Sequence, residues 1–272
     1  MKSLIDQSVA IIQKHLAEEF NPRIGLILGS GLSGLVEDIQ VVARINYHDL
    51  PGFFVSSVQG HAGELVLGYL SDQPVVCMSG RVHLYEGATP QDVALPIRVM
   101  KQLGVGHLLV TNAAGVLDPN IPSGSIMQIK DQINMTGVSP LTGPNDTAIG
   151  PRFVPMDSAY DQATQQIMQQ AAESLNIPLP SGVYIGVLGP QFETPAEIRA
   201  FKALGADLVG MSTVLEVIAA CHCGMKVNGV SAVTNVASGL LDTPIEHDSV
   251  LEHGATAGAQ LSRLLKTVVP QL

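Results

Sequence analysis

Charge is scarce in this chain. Only 14% of its 272 residues are Asp, Glu, Lys or Arg, against 46% apolar. A surface that poor in charge suits partial burial in an oligomer. Basic residues are the scarcer sign: 14 Lys and Arg stand against 24 Asp and Glu, a formal net charge of −10. That balance argues against a general binder of nucleic acid or anionic membrane, and an anionic substrate would need a local cluster of donors. Cysteine is scarce as well. Cys77, Cys221 and Cys223 build no disulfide framework and suit a reducing, cytoplasmic setting. No apolar run approaches the ~18 residues of a membrane span. The stretch "MKSLIDQSVAIIQKHLAEEF" carries acidic residues in an amphipathic pattern, which reads as a helix and not as a signal peptide.

Several motifs of catalysis are also missing. There is no G-x-x-x-x-G-K-[ST] phosphate loop. A nucleophile elbow around Ser33 would need glycine at position 35, where Leu35 stands. "CHC" (221–223) lacks C-x-x-C spacing and falls in a predicted helix, where adjacent ligands point apart, so no metal is expected. One fingerprint is present: "LILGSGLSGL" places Gly29, Gly31 and Gly34 as G-x-G-x-x-G after an apolar run. A dinucleotide site would need a helix and a parallel strand to follow within about thirty residues. Here a short strand and a hairpin follow, and Asp49, twenty residues after Gly29, lies in a turn.

The chain itself reads as one α/β domain, without repeat, linker or low-complexity break, built on a central mixed β-sheet flanked by helices. Helices are expected over 4–19, 90–103, 158–175, 195–205, 214–224 and 246–268. Strands are expected at 24–29, 41–45, 107–111, 124–130, 182–189, 206–211 and 227–234, with a hairpin over 64–80. Thr194-Pro195-Ala196-Glu197 and Thr213-Val214-Leu215-Glu216 both read as capping boxes. The loop from about Gly137 to Pro155 is long for a compact domain, which marks it as functional or covered by a partner.

Four apolar strands run into small polar or sulfur-containing residues: Ser30; Asn112 and Ala113; Met211 and Ser212; Thr234 and Asn235. Ligands of open α/β sheets bind at such carboxyl ends, so the four endings suggest one pocket, with ordinary turn chemistry as the plainer alternative. In "SGRVHLYEG" an extended chain would turn Arg81, His83 and Tyr85 to one face, as an anion cradle or a solvated edge strand. Phe192 and Glu193 could present a ring and an acceptor to a heterocycle, or Glu193 could simply face a helix dipole. Taken singly, His61 in "GHAG" reads as structural, and His247 and His253 read as surface residues.

With these residues assembled, the chain resembles the trimeric purine nucleoside phosphorylases selective for 6-oxopurines. The resemblance runs from about Pro22 to the last helix through "ILGSGL", "GHAGELVLG", "GRVHLYEG", "TNAAG", "GPQFET", "LGADLVGMSTV" and "VSAVTN". It implies phosphorolysis of inosine, guanosine and their 2′-deoxy forms, phosphate as co-substrate, no cofactor and no metal. It puts phosphate on Ser30, Arg81, His83, the backbone of Ala113 and Ser212, with His61 and Asn112 joined to that set. Ribose falls to Tyr85, Met211 and His247, and the base to Phe192, Glu193, Val209, Thr234 and Asn235. Asn235, His83 and Glu193 are the implied catalytic groups. Phe153 matches a phenylalanine that the family inserts into a neighbouring subunit's site, which implies a homotrimer. Leu215 and Cys221 depart from the family's usual proline and arginine. A related phosphorylase that accepts xanthosine is the runner-up. An NAD-dependent oxidoreductase and a purine-binding protein without turnover are the alternatives outside that class.

Overall fold

Apolar strand residues here recur without alternation, as they must where both faces of a sheet are covered. The computed structural model of the protein describes residues 1–272 except 18, 30, 57–62 and 242–246, and for 33 and 247–251 the backbone alone. Nine strands occur among the described residues: β1 (Ile24–Leu28), β2 (Gln40–Asn46), β3 (Glu64–Leu70), β4 (Gln73–Ser79), β5 (His107–Val116), β6 (Ile126–Asn134), β7 (Ser181–Gly186), β8 (Leu208–Gly210) and β9 (Lys226–Val236). Six α-helices accompany them: α1 (Lys2–Gln13), α2 (Pro90–Gln102), α3 (Gln162–Ser174), α4 (Pro195–Ala203), α5 (Val214–His222) and α6 (His247–Val268). This is the single α/β domain with a mixed sheet that the sequence predicts.

The strand order is β2-β3-β4-β1-β5-β8-β7-β6-β9, and β9 also pairs with β5. The last five strands therefore close on themselves, a feature the strand pattern does not announce. Leu108 and Val110 of β5 join a core with α1, α2 and α5, while Leu109 faces α3 and α6. Each such fully buried side chain contributes about 1.5–3 kcal/mol. The hairpin β3–β4 is antiparallel, and its turn residues Ser71 and Asp72 both take positive φ, as a two-residue turn requires.

Element ends differ from expectation in instructive ways. α1 stops at Gln13, and His15 and Leu16 tighten onto carbonyls three residues back. α3 begins at Gln162 and not at 158, because Asp161 accepts the Thr164 backbone N–H and caps it. β5 and β9 run on to Val116 and Val236, so Asn112, Ala113, Thr234 and Asn235 lie inside strands and not beyond them. In the β5–β9 ladder Ala114 opposes Val233 and Gly115 opposes Asn235, which leaves Thr234 as a bulge. A bulge lets consecutive side chains aim the same way, and such bulges gather next to active sites. No helix or strand occurs between Asn134 and Gln162. That long loop is held instead by its own polar groups, with Arg152 Nη1 donating to the Gly143 carbonyl at 2.6 Å and Asn145 Oδ1 3.2 Å from His222 Nε2.

Candidate active site

The ends of β1 and β8, the bulged C-terminal parts of β5 and β9, and the segments after β4 and β7 converge on one cavity of about 420 Å³. That volume suits a small organic ligand. Gly29 sits at its floor for want of space: a Cβ there would lie 2.7 Å from the Asn112 Cα. Glycine thus lets β1 and β5 approach closely where the cavity opens.

A buried cation and a hydroxyl group meet in the cavity wall. Arg81 is only 1% exposed, so it does not belong to a solvated edge strand. Its Nη1 donates to Ser212 Oγ at 2.9 Å and to Thr213 Oγ1 at 3.2 Å, and both Arg81 and Ser212 line the cavity. Its Nε lies 3.1 Å from Glu216 Oε1. His83 lines the same cavity, and its Nδ1 is 3.1 Å from Glu86 Oε1, which also accepts the His83 backbone N–H. A carboxylate only accepts, so Nδ1 carries the proton of that bond, and the ring is fixed in orientation. Tyr85 stacks on His83 with ring centroids 4.7 Å apart. Tyr85 reaches the cavity from a 3₁₀ turn over Leu84–Glu86, so strand alternation is not what brings it beside Arg81 and His83.

Phe192, Val209 and Met211 also line the cavity, with Glu193, Thr234 and Asn235. Thr234 Oγ1 is 3.0 Å from Asn235 Oδ1, and Asn235 Nδ2 donates to the Val236 carbonyl at 3.1 Å. The carboxamide is thereby held with one N–H committed and the other without an acceptor among the described residues. Burial pushes the Glu193 carboxyl above the value of an ordinary glutamate, against its own backbone N–H, and the nearby Glu197 pushes in the same direction. The capping box at Thr194 and Glu197, complete in both directions, fixes the start of α4 directly after Glu193.

Eleven of the predicted site residues line this cavity: Arg81, His83, Tyr85, Ala113, Phe192, Glu193, Val209, Met211, Ser212, Thr234 and Asn235. Asn112 does not. It is buried behind the wall, where its Nδ2 donates to Thr213 Oγ1 at 2.8 Å. Phe153 lies apart on the long loop, 86% exposed. Ser30 and His61 fall outside the described residues, and His247 opens α6 with only its backbone described. The second predicted capping box is at most half formed: Thr213 has φ +72° and its side chain makes no cap, while the Glu216 carboxylate, beside the Thr213 backbone N–H, also pairs with Arg81. A buried guanidinium without a counter-charge is far more costly than an imperfect helix start, so the pair takes precedence. Glu216 was invisible as a partner because it reads locally as a helix-start acid, and nothing in the sequence near Glu86 marks it as a partner of His83. Among the described residues no group of three His, Cys, Asp or Glu side chains is placed to hold a metal ion, and no helix is long and apolar enough to cross a membrane.

Residues 23–270 match the family described as the Phosphorylase superfamily. Purine nucleoside phosphorylase 1 of Bacillus subtilis is 48% identical over 271 residues, covering 100% of this chain and 99% of the relative. The purine nucleoside phosphorylase of Mus musculus is 43% identical over 93% of this chain and 90% of its own. Among solved structures, a Schistosoma purine nucleoside phosphorylase in complex with hypoxanthine superposes with a TM-score of 0.91 at 38% identity, covering 99% of this chain and 97% of that one. A Schistosoma mansoni structure of the same enzyme, in complex with adenosine, superposes equally well, with a TM-score of 0.91 at 38% identity.

Proposed function

The chain belongs to the phosphorylase superfamily and to its purine nucleoside phosphorylases, and from that premise we propose that it catalyses the reversible phosphorolysis of inosine, guanosine and their 2′-deoxy forms. Phosphate oxygen attacks C1′ as the bond from C1′ to the purine breaks, giving ribose or 2-deoxyribose 1-phosphate and free base. The observation that carries this reading is the shape of the charge in one cavity. The buried cation Arg81 and the Ser212 hydroxyl line it together with an amide–carboxylate pair, Asn235 and Glu193.

The sugar crosses an oxocarbenium-like state while the base departs with negative charge, and both charges need stabilising. Phosphate on Arg81, His83 and Ser212, joined by Ser30, His61 and the Ala113 backbone, sets negative charge against the cationic sugar. It also holds the nucleophile within reach, which removes the entropic cost of encounter. Asn112 serves that end at one remove, through Thr213. Tyr85, Met211 and His247 hold the ribose. Phe192 and Val209 flank the purine ring. The spare Asn235 N–H donates to O6, and its oxygen, oriented by Thr234, accepts from N7 as N7 gains a proton. Glu193 accepts from N1–H and, in guanine, from the 2-amino group. Removing one such transition-state contact costs about 3–4 kcal/mol, or roughly a hundred- to a thousandfold in rate.

The same geometry sets specificity. Adenine has no proton on N1 and donates from its 6-amino group, so Glu193 meets a lone pair. A site built around a substrate hydrogen bond rejects the mismatch by up to ~10⁴–10⁵. Since adenosine occupies the Schistosoma mansoni relative, turnover and not mere binding is the discriminating quantity. An absorbance assay of inosine, guanosine, xanthosine and adenosine, each with and without phosphate, tests the reading. Phosphate-dependent cleavage of inosine and guanosine alone is expected. Adenosine turnover at a comparable rate would refute the specificity argument, and intact inosine in phosphate would refute the activity. The relatives lend the xanthosine reading no separate support.

A further inference from the structure

Arg81 is held by Ser212, itself a phosphate ligand in the mechanism above, and from behind by Glu216, Thr213 and Asn112, which take no part in that mechanism's direct contacts. Glu216, 3% exposed, lies on the Nε side at 3.1 Å. Thr213 and Ser212 take Nη1 at 3.2 Å and 2.9 Å. Asn112 adds a donor to the same Thr213 hydroxyl at 2.8 Å. The guanidinium is planar, so a carboxylate in ion-pair contact beside Nε and two hydroxyl acceptors on Nη1 restrict how it can turn.

Two features of this arrangement are hard to explain by stability alone. A buried ion pair repays its own desolvation only with excellent geometry, and an apolar pair of similar volume commonly serves a core as well. Here Glu216 Oε2 has no hydrogen-bond partner among the described residues. Thr213 is moreover a β-branched residue at φ +72°, ψ −52°, and the Val214 N–H bonds back to the Ser212 carbonyl at 2.8 Å. That is a γ-turn of the rare, strained kind. Strain of this sort persists where the surroundings enforce it and clusters at functional sites. Its result here is to set two consecutive hydroxyls, on Ser212 and Thr213, along one edge of Arg81.

We propose that Glu216 is a positioning residue for the phosphate site: its carboxylate, working against the strained Thr213 turn, holds the Arg81 guanidinium aimed with Ser212 at the incoming anion. The inference rests on the phosphate reading of the cavity. It makes a prediction opposite in sign to simple electrostatics. Removing a negative charge behind Arg81 should tighten anion binding if Glu216 acted only through its field. If Glu216 acts by aiming Arg81, its loss should weaken binding.

The experiment compares wild type with Glu216→Gln, which keeps the shape and removes the charge, and with Thr213→Val, which removes the hydroxyl from the other side. The phosphate dissociation constant is read by calorimetry, and KM for phosphate, KM for inosine and kcat by steady-state kinetics. Both variants are expected to weaken phosphate, in Kd and KM, by roughly three- to tenfold, as for one charge-assisted contact. KM for inosine at saturating phosphate should stay within about twofold. An unchanged or tightened phosphate Kd in Glu216→Gln overturns the inference. So does a uniform loss across phosphate, inosine and kcat, which is the mark of general unfolding. Should Glu216→Gln fail to fold, Thr213→Val decides by the same criteria. Wild-type protein that binds no phosphate would overturn the site reading itself, and with it this inference.

Discussion

Under the proposed function, one carboxyl, Glu193, would carry both specificity and pH dependence. Partial burial and the neighbouring Glu197 hold it protonated to higher pH than an ordinary glutamate, while its own backbone N–H opposes them. Accepting N1–H of a 6-oxopurine requires the ionised form. Activity on inosine, followed as kcat/KM, should therefore rise with pH through a value above that of an ordinary glutamate. Glu193→Gln has no such ionisation and should lose that acid limb together with roughly a hundredfold or more of kcat/KM. A variant that keeps both the limb and the rate would remove Glu193 from the base site. At the same scale the bulged Thr234 explains what the sequence pattern alone could not. Strict alternation along β9 would send Thr234 and Asn235 to opposite faces, and the extra residue lets both line the cavity.

At the scale of elements, the three glycines of "GSGLSG" have three different duties. Gly29 permits the close approach of β1 to β5, since a Cβ would meet the Asn112 Cα at 2.7 Å. Gly31 takes φ +76°, which an L side chain seldom adopts. Gly34 has nothing within 4 Å of its would-be Cβ and lies in a 3₁₀ turn over Ser33–Asp38. A dinucleotide fold uses its third glycine to pack an α-helix against the sheet. Here there is no such helix, and the following strand, β2, pairs antiparallel with β3 at the sheet's edge. Gly29→Ala should cost about 1–3 kcal/mol in denaturant unfolding and damage the cavity. Gly34→Ala should stay within about 0.5 kcal/mol of wild type. Equal losses at both positions would mean that Gly34 packs as a dinucleotide-fold glycine does.

At the scale of the whole molecule, the 86% exposure of Phe153 is the feature a single chain leaves unexplained. It stands on a loop without helix or strand, held in shape by Arg152 and by Asn145 against His222. An ordered loop that presents a bare aromatic ring suits a surface met by another subunit. In the trimer that the family resemblance implies, the ring would enter a neighbouring subunit's site. Phe153→Ala should then raise KM for inosine severalfold while leaving the thermal midpoint and the KM for phosphate near wild type. A sedimentation measurement reads the assembly alongside. An unchanged inosine KM in a folded variant would argue against a shared site.

What the chain's residues determine by themselves is local and additive. Apolar strands, the Thr194 capping box and the hairpin over Glu64–Ser79 each follow from neighbours in sequence, so pattern reading places them correctly. The cavity wall was legible for a related reason, because small polar residues interrupting apolar strands are conspicuous. Only tertiary structure could decide the rest. Closure of β5 through β9, and the bulge at Thr234, depend on pairings between strands far apart in the chain. The Thr213-Glu216 segment reads as a helix cap until Arg81, more than 130 positions away in sequence, arrives as a buried cation. A local hydrogen bond worth about 1 kcal/mol then yields to the far larger cost of leaving that charge unpaired.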